Sequence, residues 1–126
     1  MKKIFQILII VCGGLLLNSC YYDELVPRPI PEIPTDPDDP NYKEVKYGAD
    51  IQSIWDSNCI SCHSTTSPNL SEGVSYSNLV PEYVIAENPD ASPLVNKLQN
   101  GTHNGRANPT QMSLIIGWID QGAKNN

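Results

Sequence analysis

Cys59-Ile60-Ser61-Cys62-His63 brings two thiols and an imidazole together within five consecutive residues. C-x-x-C-H is the attachment pattern of c-type haem. In that chemistry the thiols add across two vinyl groups to form thioethers, and the histidine supplies the proximal nitrogen to iron. The spacing suits the task. Two intervening residues make one tight turn, which sets both sulfurs along one edge of a flat macrocycle. A histidine directly after the second cysteine is then tethered beneath its centre.

Two other uses of the same residues are open. Cys59 and Cys62 can close a disulfide, which leaves His63 without a role. They can also form half of a zinc site, but zinc takes four ligands. Only His63 and His103 remain to complete the set, and His63 is bound to follow Cys62. A thioredoxin-type redox pair calls for a βαβ context. Here a Ser/Thr/Pro stretch, residues 64–68, follows instead.

The remaining cysteines fall in an export segment. Residues 1–19 start with Lys2 and Lys3, continue as a largely apolar run from Ile4 to Leu17 and end on a small residue, the pattern of a secretory signal. The apolar run is shorter than the ~20 residues of a membrane-spanning helix. Leu17-Asn18-Ser19-Cys20 resembles the lipobox of bacterial lipoproteins, with Asn18 a departure from the usual residue there. That resemblance implies cleavage before Cys20 and lipid on its thiol, hence a protein exported and anchored to a membrane, on the periplasmic side or the cell surface. Cys12 goes with the discarded signal. No thiol is then left over for a structural disulfide with Cys59 or Cys62.

The formal net charge is −6, and −8 once Lys2 and Lys3 are removed. Such a chain is a poor partner for nucleic acid, where phosphate contacts need clustered Lys and Arg. A redox protein with a basic surface is compatible. Half of the acidic residues (Asp23, Glu24, Glu32, Asp36, Asp38, Asp39 and Glu44) lie in residues 20–44, together with six prolines. Proline fixes φ and removes backbone donors, and charge with low hydrophobicity disfavours a packed core. Residues 20–44 therefore read as a disordered, polyproline-like tether, spanning up to roughly 70 Å at ~3.1 Å per residue.

What must position the cysteines and histidine is a domain of residues 45–126. Domains of that size are marginal on side-chain burial alone, and a buried macrocycle would supply the missing apolar surface. Ile51, Ile54 and Trp55 recur at helical spacing and predict a helix over 48–58, running into Cys59. Tyr76, Leu79 and Val80 predict a short helix over 75–80, stopped before Pro81. Ser92-Pro93 predicts a capped start, with Leu94, Val95 and Leu98 on the apolar face and Gly101 as the stop. The last helix starts at Asn108 or Thr110, near Pro109. It presents Met112, Ile115, Ile116 and Ile119 with Trp118 alongside, and stops at Gly122. Strand patterns are weak and no internal repeat is visible, so the fold class is all-α.

Asp50-Ile51-Gln52-Ser53-Ile54 ahead of Cys59, Pro68-Asn69-Leu70, Ser92-Pro93-Leu94 and Gly117-Trp118-Ile119-Asp120-Gln121-Gly122-Ala123 together resemble small monohaem cytochrome c domains, in particular the planctomycete-type cytochrome group. The resemblance covers essentially all of residues 45–123. It implies a class I cytochrome c-like fold around one covalent haem c, electron transfer rather than enzymatic turnover, and protein redox partners as donor and acceptor. His63 is then the proximal ligand, and its other ring nitrogen should donate to a backbone carbonyl, with the 68–70 loop as the family-like source.

The other axial position departs from the family pattern. Many relatives carry a Met-Pro pair in the loop before the final helix, whereas this chain reads Thr102-His103-Asn104-Gly105-Arg106-Ala107-Asn108-Pro109. Three assignments are open: His103, in a loop flanked by Gly101 and Gly105; Met112, whose spacing with Ile115, Ile116 and Ile119 also fits core packing; or no protein ligand. The loop position favours His103. Met/His ligation raises the potential, so two histidines should give a lower one. An open position would instead suit a gas sensor or a peroxidase-like enzyme. Trp55, Trp118, Leu94, Leu98, Ile115 and Ile119 are expected at the pocket or at the helix contact beside it. Arg106 is a solvated loop cation or a partner for a haem propionate. Tyr76 and Tyr83 have no evident role.

Overall fold

A computed structural model describes residues 30–126. The signal segment 1–19 and the lipidation residue Cys20 lie outside the described residues. Five α-helices and no strand occur among those described: α1 Gln52–Asn58, α2 Ile60–His63, α3 Ser75–Leu79, α4 Pro93–Gln99 and α5 Pro109–Asp120. The domain is small and all-helical.

The expected first helix is divided. Tyr47–Ile51 forms a wide, π-type turn before α1 takes over at Gln52. Asp50 helps to set it, since its carboxylate accepts from the Lys46 N–H at 2.9 Å. Ile51, Ile54 and Trp55 turn inward and are all but fully buried. α1 ends at Cys59, whose φ of −124° leaves the helical region, and α2 then winds the C-x-x-C-H residues into one turn. The Cys62 and His63 N–H groups both donate to the Cys59 carbonyl.

Asn108 starts α5 by a reciprocal cap: its side chain accepts from the Gln111 N–H at 2.9 Å, and the Gln111 side chain accepts from the Asn108 N–H at 3.0 Å. The Gln111 carbonyl also takes a bond from Asn58, which ties the end of α1 to the start of α5. Gly122, at φ +97°, turns the chain out of the helix, so that the Ala123 N–H reaches the Trp118 carbonyl. Met112, Ile115, Trp118 and Ile119 form the buried face of α5. Tyr47, Tyr76 and Trp118 gather behind it with ring centroids 5.1–6.4 Å apart.

Two local expectations change. Ser92 stands at the start of α4 but does not cap it. Its hydroxyl is fully buried and instead accepts from the Ile85 N–H and donates to the Asn88 carbonyl, stapling the preceding turn. Residues 30–44 carry no helix or strand, in keeping with their proline content, yet they do not stand free of the domain. Ile30 and Ile33 pack on the core, Ser113 donates to the Pro31 carbonyl, and Gln121 donates to the Pro34 and Lys43 carbonyls. Gly117 makes room for this strap: a Cβ there would lie 3.1 Å from Ile33. Residues 30–36 run without a turn and residues 37–41 turn back, with the Asp39 N–H on the Asp36 carbonyl and the Tyr42 N–H on the Asp39 carbonyl; the two isoleucines give the strap apolar surface to bury.

Candidate functional site

His63 ends α2 on the wall of a cavity of about 650 Å³, within the ~300–1,000 Å³ range of small-molecule and cofactor pockets. Its Nδ1 lies 2.9 Å from the Pro68 carbonyl oxygen. A carbonyl only accepts, so Nδ1 carries the proton. The lone pair of the neutral imidazole therefore sits on Nε2, the atom left for a metal. The loop that supplies the carbonyl is fixed in turn, because the Leu70 N–H donates back to the His63 carbonyl at 2.8 Å.

Cys59 is half-buried on the same cavity wall, and Cys62 is exposed at the far end of the turn. Both are free thiols. Burial pushes the Cys59 thiol above its ordinary pKa, and the Arg106 guanidinium opposes that shift. Among the described residues no three His, Cys, Asp or Glu side chains gather as a metal-binding group.

His103 lines the cavity as well. Its ring centroid is 5.9 Å from that of His63, with the planes tilted by 45°. Two imidazoles coordinating one ion from opposite sides at metal–nitrogen distances of about 2 Å have centroids about 6 Å apart. The His103 Nδ1 is within 3.0 Å of the Thr102 hydroxyl, and its backbone is tied to the Lys97 carbonyl and the Arg106 N–H. Met112 is 4% exposed among the core residues of α5 and is not on the cavity wall.

The walls are mainly apolar. Trp55 comes from α1, Leu79 from α3, and Leu94 and Leu98 from α4; Pro68, Leu70 and Tyr83 come from loops. Of the six residues expected at or beside the pocket, Trp55, Leu94 and Leu98 line it. Trp118, Ile115 and Ile119 lie in the packed core. Tyr83, which the sequence leaves without a role, is on the wall because the chain continues past α3 for another turn, with the Tyr83 N–H on the Leu79 carbonyl. The i, i+4 spacing of Leu79 and Tyr83 is the signal that could have found it. Among the described residues, Lys97 is the one Lys or Arg on the wall. Arg106 is exposed in the adjoining loop.

A flat apolar macrocycle fits this donor set: two free thiols on one turn, an imidazole held in the ligating tautomer, a second imidazole at a matching separation, and apolar walls around them. Compared with protein families, curated proteins and solved structures, the chain finds no match.

Proposed function

We propose that this chain is an exported, lipid-anchored cytochrome c of class I-like fold that carries single electrons through one covalently attached haem c. The observation that carries the reading is His63: its Nδ1 proton is committed to the Pro68 carbonyl, which leaves Nε2 for iron on the wall of a cavity that Cys59 shares. Haem supplies reversible one-electron exchange at iron, with a potential set by axial ligands and surroundings. The chain's own residues do the rest. Cys59 and Cys62 would attach the group, and His63 and His103 would hold its iron. Trp55, Leu79, Leu94 and Leu98 line the cavity and would keep water from the bound group. Lipid on Cys20 would tie the domain to a membrane, where a protein donor and a protein acceptor exchange electrons with it.

Haem staining after denaturing electrophoresis tests the attachment, because thioether-bound haem survives denaturation. The protein matured in a host with c-type haem assembly should stain, and the Cys59→Ala/Cys62→Ala variant should not. A wild-type chain without stain contradicts the proposal and favours a lipoprotein binding module with a Cys59–Cys62 disulfide.

A further inference from the structure

Gln52 is a buried polar residue of α1, 5% exposed, with every polar atom of its amide engaged. It sits within one directed series of hydrogen bonds. The Trp55 indole donates to the Tyr47 hydroxyl oxygen at 3.3 Å. The Tyr47 hydroxyl donates to Ser75 Oγ at 2.7 Å, and the Ser75 hydroxyl donates to Gln52 Oε1. The Leu70 carbonyl and the Asp56 carboxylate only accept, so they place the Gln52 amino group; Oε1 is then left to accept from Ser75, and the direction of the bonds back to Trp55 follows. Burial raises the Tyr47 phenol above its ordinary pKa, against the hydrogen bonds from its partners, and keeps the proton that this series needs. The Gln52 amino group then donates twice, to Asp56 Oδ1 at 2.9 Å and to the Leu70 carbonyl at 3.0 Å.

The second of these bonds reaches the loop that holds His63. Leu70 is pinned on both sides, its carbonyl by Gln52 and its N–H by the His63 carbonyl. Two residues earlier, the Pro68 carbonyl receives the His63 Nδ1 proton. We propose that Gln52 is a positioning residue for His63: acting through Leu70, it holds the Pro68 carbonyl against Nδ1–H and so sets the tautomer and the donor strength of Nε2. This rests on the reading of His63 as a haem ligand. A firm bond at Nδ1 raises the basicity of a ligating imidazole. Loosening it weakens donation to iron and raises the reduction potential.

The test uses the matured, haem-loaded protein and reads two quantities: the solvent exchange of the His63 Nδ1 proton by NMR in the reduced state, and the reduction potential. Gln52→Met removes the bond to Leu70 at similar volume. It should speed Nδ1–H exchange about fivefold or more, the loss expected when one buried hydrogen bond is removed, and shift the potential upward. Gln52→Asn, which keeps the amide but is one methylene shorter, should act in the same direction and serves if the Met variant does not fold. Ser75→Ala breaks the series on the other side of Gln52 and leaves the Leu70 bond, so it should lower stability while both readouts stay near wild type. Wild-type exchange in the Gln52 variants, or equal acceleration in Ser75→Ala, overturns the inference alone. A wild-type chain that carries no haem overturns the functional reading, and this one with it.

Discussion

The two sides of α1 are built differently. Toward α5, Tyr47, Ile51, Ile54 and Trp118 fill the interior. Hydrogen bonds there are complete: the Trp118 indole donates to the Lys124 carbonyl, the Tyr76 hydroxyl to the Ala123 carbonyl, and the Tyr47 hydroxyl to Ser75. Among the described residues no buried side-chain nitrogen or oxygen is left without a partner. Toward α4, Trp55, Leu79, Leu94 and Leu98 surround open volume, and the side chains with metal and thiol chemistry are gathered at its edge. Trp55 belongs to both sides, lining the cavity with its ring and bonding Tyr47 through its indole nitrogen. A domain of this size has little apolar surface to spare. The cavity on the α4 side suits a large apolar group, and the packed other side supports the residues at its edge.

The largest difference between the sides should appear in stability. Trp118→Ala should cost about 3–5 kcal/mol, the range for deleting a buried aromatic side chain, whether or not haem is attached. Leu94→Ala should cost far less in a haem-free Cys59→Ala/Cys62→Ala background than in the haem-loaded protein, because its side chain faces open volume until the macrocycle meets it. Denaturant unfolding of the two backgrounds, each alone, with Trp118→Ala and with Leu94→Ala, measures both. Equal costs for Leu94→Ala in the two backgrounds would break the comparison.

A smaller, spectroscopic contrast separates the two candidate ligands. His103→Ala, on the cavity side, should convert a low-spin spectrum to a high-spin one. Met112→Leu, on the packed side, should leave the spectrum unchanged and cost about 1 kcal/mol or less as a near volume-conserving swap. The reverse pattern would move the sixth ligand to the packed side.

The smallest effect concerns Asp120, the last residue of α5. The Asp120 carboxyl is pushed above the ordinary carboxylate pKa by partial burial and then by the neighbouring Asp90 carboxylate. The folded state therefore binds this proton more tightly than the unfolded chain does. Its contribution to stability is fully present below the ordinary aspartate pKa of about 3.9 and is lost as pH rises through the raised value. Near neutral pH the charge is a mild burden, reduced by solvent screening. Asp120→Asn should raise the melting temperature slightly at neutral pH and flatten its dependence over the mildly acidic range, as thermal melts at several pH values would show. Asp90→Asn should produce part of the same gain.

The features legible in the sequence are those made by neighbours along the chain. Cys59 to His63 is one turn, Asn108 with Gln111 is a cap, and Met112, Ile115 and Ile119 share a helical face; each follows from spacing alone. The features it hides are made between distant segments. Ser92 reads as a cap because serine before proline usually is one, but burial turned its hydroxyl toward Ile85 and Asn88. Ile30 and Ile33 read as part of a proline-rich tether because their binding surface, the notch at Gly117, is more than eighty residues away. Gln52 carries no signal of its own, since its partners Ser75 and Leu70 meet it only in the folded chain. The candidate site was therefore legible as a set of side chains, with the 68–70 loop as the expected partner of His63, and the contacts behind that loop were not.

The proposed haem would lie between His63 and His103, in the cavity that both line. The electronic spectrum of the matured wild-type protein, recorded oxidised and reduced, tests it most directly. A low-spin c-type spectrum is expected in both states, without the weak far-red ferric band expected of methionine-ligated cytochromes. No haem absorbance at all, or that far-red band in the oxidised protein, would contradict it.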